Sequence, residues 1–396
     1  MEKKLLLKST VFLWKQADAG LLYDWTTAAF FRFSLHDTDI REMCRQWEEL
    51  DNLYAARFDD ENKHIEFQNF IQSIIDLRLG TIHDVNDIVV AFPPVLKINR
   101  GVNHANAWKG GMEVQPILPY LSKLRVFLGG SADNHDWWMQ TLYPKSSDVY
   151  LDSSRFLAFL SQCDQQSLLH LEIIVSDWNG IVLSNYAEAL IGFKEKVRFV
   201  FAHPNPSFHN SLLDSVIANG YAVTQVCPAD PALKKTSWVP GRDYHFLVRS
   251  ENEYFHWKAL LQENGPAQYD FVPIAEDNLD FFRKNVFISE EEILDQKLTK
   301  KDIFRHQALN VYQFGVLYVF PDGTIHPAAD APAIGTLEDS VHQIIIRELE
   351  ENHAWRQTRR LMSPCKDCIY HDLCPSPSVY ERILGVPSCT VWQTKD

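Results

Sequence analysis

The chain has 396 residues, of which 46% are hydrophobic and 23% are charged, as in ordinary folded proteins. Its length favours two or three domains, and its 38 Lys and Arg against 52 Asp and Glu give a net charge of −14. That charge disfavours non-specific binding to nucleic acid or to an anionic membrane. We find no pattern of a secretory signal and no apolar run long enough to span a bilayer. We therefore expect a cytoplasmic protein with reduced cysteines that binds neither nucleic acid nor a membrane.

The N-terminal region predicts a small α+β unit over residues 1–85. Three strand-like runs joined by short turns predict an antiparallel meander; they are 10–15 (TVFLWK), 20–25 (GLLYDW) and 28–34 (AAFFRFS). Two helices are predicted behind this sheet. One carries Ile40, Cys44 and Trp47 at helical spacing, and the other has an apolar face over 67–79, with an extended piece, 53–58, between them.

The middle region, 86–309, alternates short apolar strands with helical segments, which is typical of a parallel sheet with crossover helices. The predicted strands are 96–99, 124–128, 171–175, 197–201, 222–226, 246–248 and 269–274. The predicted helices are 182–194, 211–219, 253–263 and 277–286. About six units are present, fewer than the eight of a closed barrel. The fold class is therefore α/β, either an open sheet or a partial barrel.

The C-terminal region, 310–396, is predicted to begin with a hairpin. Val316–Phe320 precedes Asp322-Gly323, a strong turn signal. A helix is predicted over 337–360, and a segment containing four of the seven cysteines ends the region.

These four cysteines have the spacing of a metal site. Cys365 and Cys368 can bind one metal through a tight turn, and Cys374 and Cys389 bring the set to four thiolates, which suits structural zinc or an iron–sulfur cluster. A second Cys-x-x-Cys pair, usual in zinc modules, is absent, and proline follows Cys374 as in ferredoxin loops. Both points favour iron–sulfur, with zinc as the alternative. The isolated Cys44, Cys163 and Cys227 are predicted to be core residues.

The cysteine spacing resembles the second half of the SPASM extension of radical SAM enzymes that modify ribosomal peptides. The resemblance implies one auxiliary [4Fe–4S] cluster held by Cys365, Cys368, Cys374 and Cys389, with Ser378 where the family has a cysteine for a second cluster. The upstream hairpin, 317–335, lacks the cysteines that would complete that second cluster. The C-terminal region is thus expected to be a SPASM- or twitch-like domain.

The middle region is similar in layout to the partial (β/α)6 barrel of radical SAM enzymes, but it lacks their defining Cys-x3-Cys-x2-Cys motif. The chain has no cysteine between 45 and 162, and no Gly-Gly-Glu. The resemblance therefore implies that the chain neither binds SAM at a catalytic cluster nor cleaves it.

The N-terminal region resembles the PqqD-like recognition element, a winged-helix type of domain that captures a leader peptide as an added strand. Its opening, KSTVFLWKQADAGLLYDWTT, also resembles the pseudo-radical SAM proteins of Bacteroidales peptide-maturation systems, which are encoded beside a genuine radical SAM maturase. Phe31 and Phe33, on the predicted edge strand, are candidate peptide contacts, with core packing as the alternative.

The leading hypothesis is a non-catalytic radical SAM homologue that binds a ribosomal precursor peptide, its maturase, or both. One alternative is an enzyme of another class that uses His135 and Asp136, beside Trp137 and Trp138, at the barrel mouth. The other is a scaffold protein stabilised by zinc through the four cysteines.

Overall fold

The computed structural model describes residues 2–59, 64–89, 91, 92, 95, 117–130, 147–175, 180–230 and 237–392. Its strands are β1 (Glu2–Leu7), β2 (Val11–Gln16), β3 (Ala19–Asp24), β4 (Ala29–Ser34), β5 (Ala55–Asp59), β6 (Gly80–Asp84), β7 (Lys123–Phe127), β8 (Gly129–Gly130), β9 (Ser147–Tyr150), β10 (His170–Val175), β11 (Val197–Ala202), β12 (Ala222–Cys227), β13 (Arg242–Val248), β14 (Tyr269–Pro273), β15 (Val316–Val319), β16 (Thr324–His326) and β17 (Gly335–Thr336). Its helices are α1 (Thr38–Glu48), α2 (Ile65–Asp76), α3 (Ser153–Leu160), α4 (Gly180–Ala189), α5 (Ser211–Ala218), α6 (Glu251–Asn264), α7 (Leu279–Asn285), α8 (Glu290–Asp295), α9 (Lys300–Ala308), α10 (Val341–Glu351) and α11 (Val379–Leu384).

The predicted antiparallel meander is confirmed as the sheet β2–β3–β4. Gly20 in β3 lies directly under the Phe33 ring of β4, and a Cβ at this position would come within 2.3 Å of that ring. A second antiparallel sheet, with the order β5–β1–β6, was not predicted in full. Of its three strands only β5 was expected, because β1 and β6 show no strict alternation of polar and apolar residues.

Helices α1 and α2 are confirmed and cover one face of the meander. Asp37 caps α1 by accepting hydrogen bonds from the N–H groups of Asp39 and Ile40, which ordinarily stabilises a helix start. The apolar faces of both helices then pack on inward-facing strand residues in one core. That core includes Leu5, Val11, Leu13, Leu22, Phe33, Ile40, Cys44, Trp47, Phe67, Phe70 and Ile74. Cys44 is thus a buried core residue, as predicted, and Cys163 and Cys227 are buried elsewhere.

The central sheet has nine strands in the order β14–β13–β12–β11–β10–β7–β15–β16–β17. Six of them, β7 and β10 to β14, are consecutive and parallel, which agrees with the predicted strand–helix alternation. The four helices predicted between these strands are present as α4, α5, α6 and α7. The protein is therefore a mixed α/β fold with a large parallel sheet. The predicted strand 96–99 lies outside the described residues.

The hairpin of the C-terminal region is confirmed, and it extends the central sheet. Strand β15 pairs in parallel with β7, and β16 folds back on β15. The turn between them uses Gly323 at φ +84°, a left-handed conformation that glycine adopts without steric cost. The boundary predicted between residues 309 and 310 stays a prediction.

The helix predicted over 337–360 is shorter, because α10 ends at Asn352, which adopts a left-handed conformation with φ +56°. The buried carboxylate of Glu348 accepts hydrogen bonds from the backbone N–H groups of Ala354 and Trp355, at 2.8 and 2.7 Å. These bonds fold the chain back on the helix end and bury Trp355. The chain then reaches the cysteine segment through non-helical turns.

Candidate functional site

Short turns place the first cysteines of the segment. Cys365 begins a 3-10 turn that is closed by a hydrogen bond from the Cys368 N–H to the Cys365 carbonyl, 3.0 Å. The Cys374 N–H bonds the Tyr370 carbonyl at 2.9 Å. Cys389 forms a bridge with Ile288, whose N–H bonds the neighbouring Ser388 carbonyl at 3.1 Å. The chain between α7 and α8 therefore helps to hold the last cysteine.

The structure brings the four predicted cysteines together. All four are buried, and the Cys374 thiol interacts electrostatically with the other three, while the Cys368 thiol interacts with Cys365 and Cys389. Burial raises the pKa of each thiol, for Cys368 to about 11. Unliganded, these thiols would thus stay protonated at neutral pH. A bound metal would have to displace the protons.

The donor set of this four-thiol group bears on the kind of metal centre that it could hold. Across the described ranges, no group of three or more His, Cys, Asp or Glu side chains is arranged to hold a metal ion. Four cysteine thiols are the donor set of a [4Fe–4S] cluster, with one cysteine for each iron, and they are also the donor set of a structural zinc site.

A buried ion pair lies beside the four-thiol group. Arg359 donates from Nη1 to the Cys365 sulfur at 3.4 Å and to Glu381 Oε1 at 2.8 Å. The side chains of Arg359 and Glu381 are only 5% and 1% exposed. Burial opposes the guanidinium charge, but Glu381 and the thiols of Cys374 and Cys365 outweigh it and raise the pKa of Arg359. Arg359 is therefore a fixed positive charge next to the thiols.

A second buried carboxylate, Asp372, joins three parts of the chain. It accepts hydrogen bonds from Trp14 Nε1 at 2.7 Å, from Gln307 Nε2 at 2.8 Å and from Arg360 Nε at 2.7 Å. Burial would raise the pKa of Asp372, but Arg360, His371 and Gln307 outweigh burial and lower it. Asp372 thus connects the meander, α9 and the cysteine segment as an ionised group.

The outer face of the meander packs against the cysteine segment. Its buried residues form one core with two of the four cysteines and their neighbours; the members include Phe12, Trp14, Leu21, Tyr23, Cys368, Ile369, Tyr370, Leu373 and Cys374. At the edge of this contact, Glu290 Oε1 accepts hydrogen bonds from Arg32 Nη1 at 3.0 Å and from the Tyr370 hydroxyl at 2.6 Å. The N-terminal unit is therefore packed directly on the cysteine segment.

The predicted peptide contacts lie on β4, which pairs only with β3 among the described strands. Phe33 is 8% exposed and its ring lies 4.9 Å from that of Phe70 in α2. Phe31 is partly buried on the same face. Phe33 is therefore packed in the core, as the alternative interpretation expected. A peptide role for Phe31 and Phe33 stays a prediction.

A cavity of about 830 Å³ separates the inner face of the central sheet from the cysteine segment. Lys123, Arg125 and Tyr318 line it on the sheet side, and Arg359 and Ser378 line it on the other. Ser378, which stands at the family's fourth cysteine position, thus borders a cavity.

One carboxylate holds the two cations at the sheet wall of this cavity. Glu172 lies 2.5 Å from Lys123 Nζ and 2.8 Å from Arg125 Nε. Burial would raise the pKa of Glu172, but Arg125 and Lys123 outweigh burial and lower it.

Sequence reasoning missed Arg359, Glu381 and Asp372. The one available signal was the Arg359-Arg360 pair, six residues before the first cysteine. The alternative site at His135, Asp136, Trp137 and Trp138 lies outside the described residues.

No protein-family profile matches the chain, and no curated protein is significantly similar to it. SuiB from Streptococcus suis, in its crystal structure with bound S-adenosylmethionine, is 10% identical over 97% of this chain and 98% of that chain, with a TM-score of 0.47. Native anSMEcpe with bound AdoMet is 9% identical over 64% of this chain and 87% of that chain, with a TM-score of 0.42. These values are too low to place the chain in a family.

No helix in the described part of the chain is long and apolar enough to cross a membrane.

Proposed function

We propose that this chain is a non-catalytic homologue of radical SAM peptide maturases. It binds a ribosomal precursor peptide and the active maturase, and it carries one auxiliary [4Fe–4S] cluster on Cys365, Cys368, Cys374 and Cys389. The observation that carries the proposal is that the four buried thiols lie close enough to interact electrostatically, with Cys368 and Cys374 packed in one core with the N-terminal meander.

The sequence supports a cluster more than a zinc ion for two reasons. A second Cys-x-x-Cys pair, usual in zinc modules, is absent, and Pro375 follows Cys374 as in ferredoxin loops. When bound, a cluster with four cysteine ligands would supply structural cross-linking or one-electron transfer. The chain's own contribution is to shield the thiols from water and to fix their positions.

The proposed lack of SAM chemistry is supported by the sequence, because the chain lacks the Cys-x3-Cys-x2-Cys motif. Without three thiolates at this spacing, the catalytic cluster that would chelate SAM has no ligand set.

The proposed peptide site is the open edge of β4. The Leu35 N–H bonds the Asp18 carbonyl at 2.7 Å, so in antiparallel alternation the N–H groups of Phe30, Arg32 and Ser34 point away from β3. An extended leader peptide could bond these groups as an added strand. The face of the meander that does not contact α1 and α2 packs on the cysteine segment. This contact fixes the position of the β4 edge.

Arg32→Pro and Arg32→Ala test the peptide site as a matched pair. The probes are fluorescein-labelled synthetic peptides with candidate precursor leader sequences, and binding is followed by anisotropy. Proline removes the outward N–H, whereas alanine removes only the side chain. We expect Arg32→Pro to weaken binding at least tenfold and Arg32→Ala to retain most of it. Equal binding by both variants would contradict a strand-addition site.

The alternatives are separated by two assays on protein purified without oxygen. Formation of deoxyadenosine from SAM and dithionite above the level of a no-protein control would establish radical SAM activity and overturn the non-catalytic role. One zinc per chain without sulfide would favour the zinc-stabilised scaffold.

A further inference from the structure

The Arg359–Glu381 ion pair is held rigidly on both sides by backbone groups. Arg359 Nε donates to the Pro375 carbonyl at 2.5 Å. Glu381 accepts hydrogen bonds from the N–H groups of Ser388, at 2.7 Å, and Ser378, at 3.1 Å. Ser378 precedes Glu381 in the sequence and Ser388 follows it, so the backbone on both sides holds the Glu381 carboxylate. The two charges therefore cannot move away from the cysteine segment without breaking its fold.

Both charges act on the four-thiol group, with opposite signs. Arg359 touches the Cys365 sulfur, and its charge reaches all four thiols. Glu381 acts on Cys365 and Cys389. In this buried setting the charges are weakly screened by water and salt. Each one therefore influences any charge change at the group that the cysteines hold.

Stability alone is a weak reason for this pair, because desolvation of two buried charges offsets much of their attraction. Proximity to the thiols provides a second reason. The reduction potential of an iron–sulfur cluster depends on net charge, solvent exposure and hydrogen bonds to the sulfurs. Reduction adds one negative charge, which a guanidinium favours and a carboxylate opposes.

We infer that Arg359 and Glu381 are a pair of positioning residues that set the reduction potential of the cluster on Cys365, Cys368, Cys374 and Cys389. Arg359 raises this potential through its charge and its hydrogen bond to Cys365, and Glu381 lowers it. The inference rests on the proposed cluster.

The test compares Arg359→Gln, Glu381→Gln and the double variant with the unchanged protein. All are purified without oxygen, and the midpoint potential is measured by dithionite titration with optical detection. Arg382→Gln is the matched control, since Arg382 lies on the same helix as Glu381 but pairs with the half-exposed Asp330 at 2.8 Å. Iron and sulfide content are measured on every sample.

We expect Arg359→Gln to shift the midpoint potential to more negative values and Glu381→Gln to shift it to more positive values. The midpoint potential of the double variant should lie between those of the two single variants. The midpoint potential of the Arg382→Gln control should equal that of the unchanged protein. Loss of packing alone would not move the two single variants in opposite directions. Arg359→Lys, which keeps the charge, should shift the midpoint potential less than Arg359→Gln. If Arg359→Gln loses its cluster, Glu381→Gln must still shift the potential to more positive values.

Two results would overturn the inference, and they are distinguishable. Unchanged protein that contains no iron and sulfide would overturn the proposed cluster and the inference together. A cluster-containing protein whose two single variants shift in the same direction, or not at all, would overturn the inference alone.

Discussion

The indole N–H of Trp14 donates a 2.7 Å hydrogen bond to the carboxylate of Asp372, and this buried contact joins residues 358 positions apart. It connects the N-terminal meander to the loop between Cys368 and Cys374. Because the same carboxylate also binds Gln307 and Arg360, the meander, α9 and the cysteine segment share one polar centre. The proposed peptide-binding unit and the proposed cluster segment are therefore mechanically linked.

Trp14→Phe should lower the free energy of unfolding by about 1.5–3 kcal/mol, the usual contribution of a hydrogen bond to a charged group. The aromatic ring can still stack on Phe12, whose centroid lies 5.2 Å away. Urea denaturation followed by circular dichroism measures the change. Trp25→Phe, just after β3, is the control, because Trp25 is only partly buried and packs at the margin of the same core. An equal effect of both substitutions would show that the Asp372 contact contributes nothing specific.

Asp372 should make stability depend on pH in the acid range. Its pKa is lower in the folded protein than the ordinary value of 3.8. The unfolded chain therefore takes up the proton first as pH falls. The stabilisation is present above about pH 4 and is lost as the pH falls through the folded-state pKa. Asp372→Asn should lose much of this dependence in denaturation curves measured from about pH 6 to pH 3. If the free energy of unfolding of Asp372→Asn fell with pH as steeply as that of the unchanged protein, the assigned role of Asp372 would be contradicted.

Cys374→Ala should remove most of the bound metal, because the remaining three thiols cannot complete a four-thiolate site. It should also loosen the C-terminal segment, which limited proteolysis would detect as faster cleavage beyond residue 359. Cys44→Ala, in the separate core of α1, should leave the metal content unchanged. Full metal content in Cys374→Ala would eliminate the proposed ligand set.

Glu172→Gln should destabilise the sheet wall of the cavity by about 1–3 kcal/mol, because Lys123 and Arg125 would lose their shared, largely buried anion. The control is Glu338→Gln, whose partner Arg155 and own carboxylate are 48% and 58% exposed. Exposed pairs contribute less than about 1 kcal/mol. Urea denaturation midpoints measure the change in stability of both variants. If both substitutions changed the free energy of unfolding by similarly small amounts, solvent would screen the charge of Glu172 as it screens that of Glu338.

The elements that the sequence predicted well are those whose pattern is local. The alternation in β2, β3 and β4 and the helical spacing of Ile40, Cys44 and Trp47 depend on neighbours a few residues away. The helix over 337–360 was predicted too long, because the left-handed turn at Asn352 is stabilised by Glu348 binding the backbone beyond the helix.

The candidate site was predictable only in part, for the same reason. Cysteine spacing identifies four thiols that can share a metal. Single charged residues such as Glu381 and Asp372 resemble ordinary surface residues in the sequence, and only the packing of distant segments buries them. The residues near Trp14 in the sequence do not indicate that it contacts Asp372. The contact between the N-terminal unit and the cysteine segment could therefore be found only in the structure.

The most direct test of the account is the iron, sulfide and zinc content of the protein purified without oxygen, together with its optical spectrum. We expect about four irons and four sulfides per chain, with broad absorption at about 400 nm. One zinc per chain with no sulfide, or no metal at all, would contradict it.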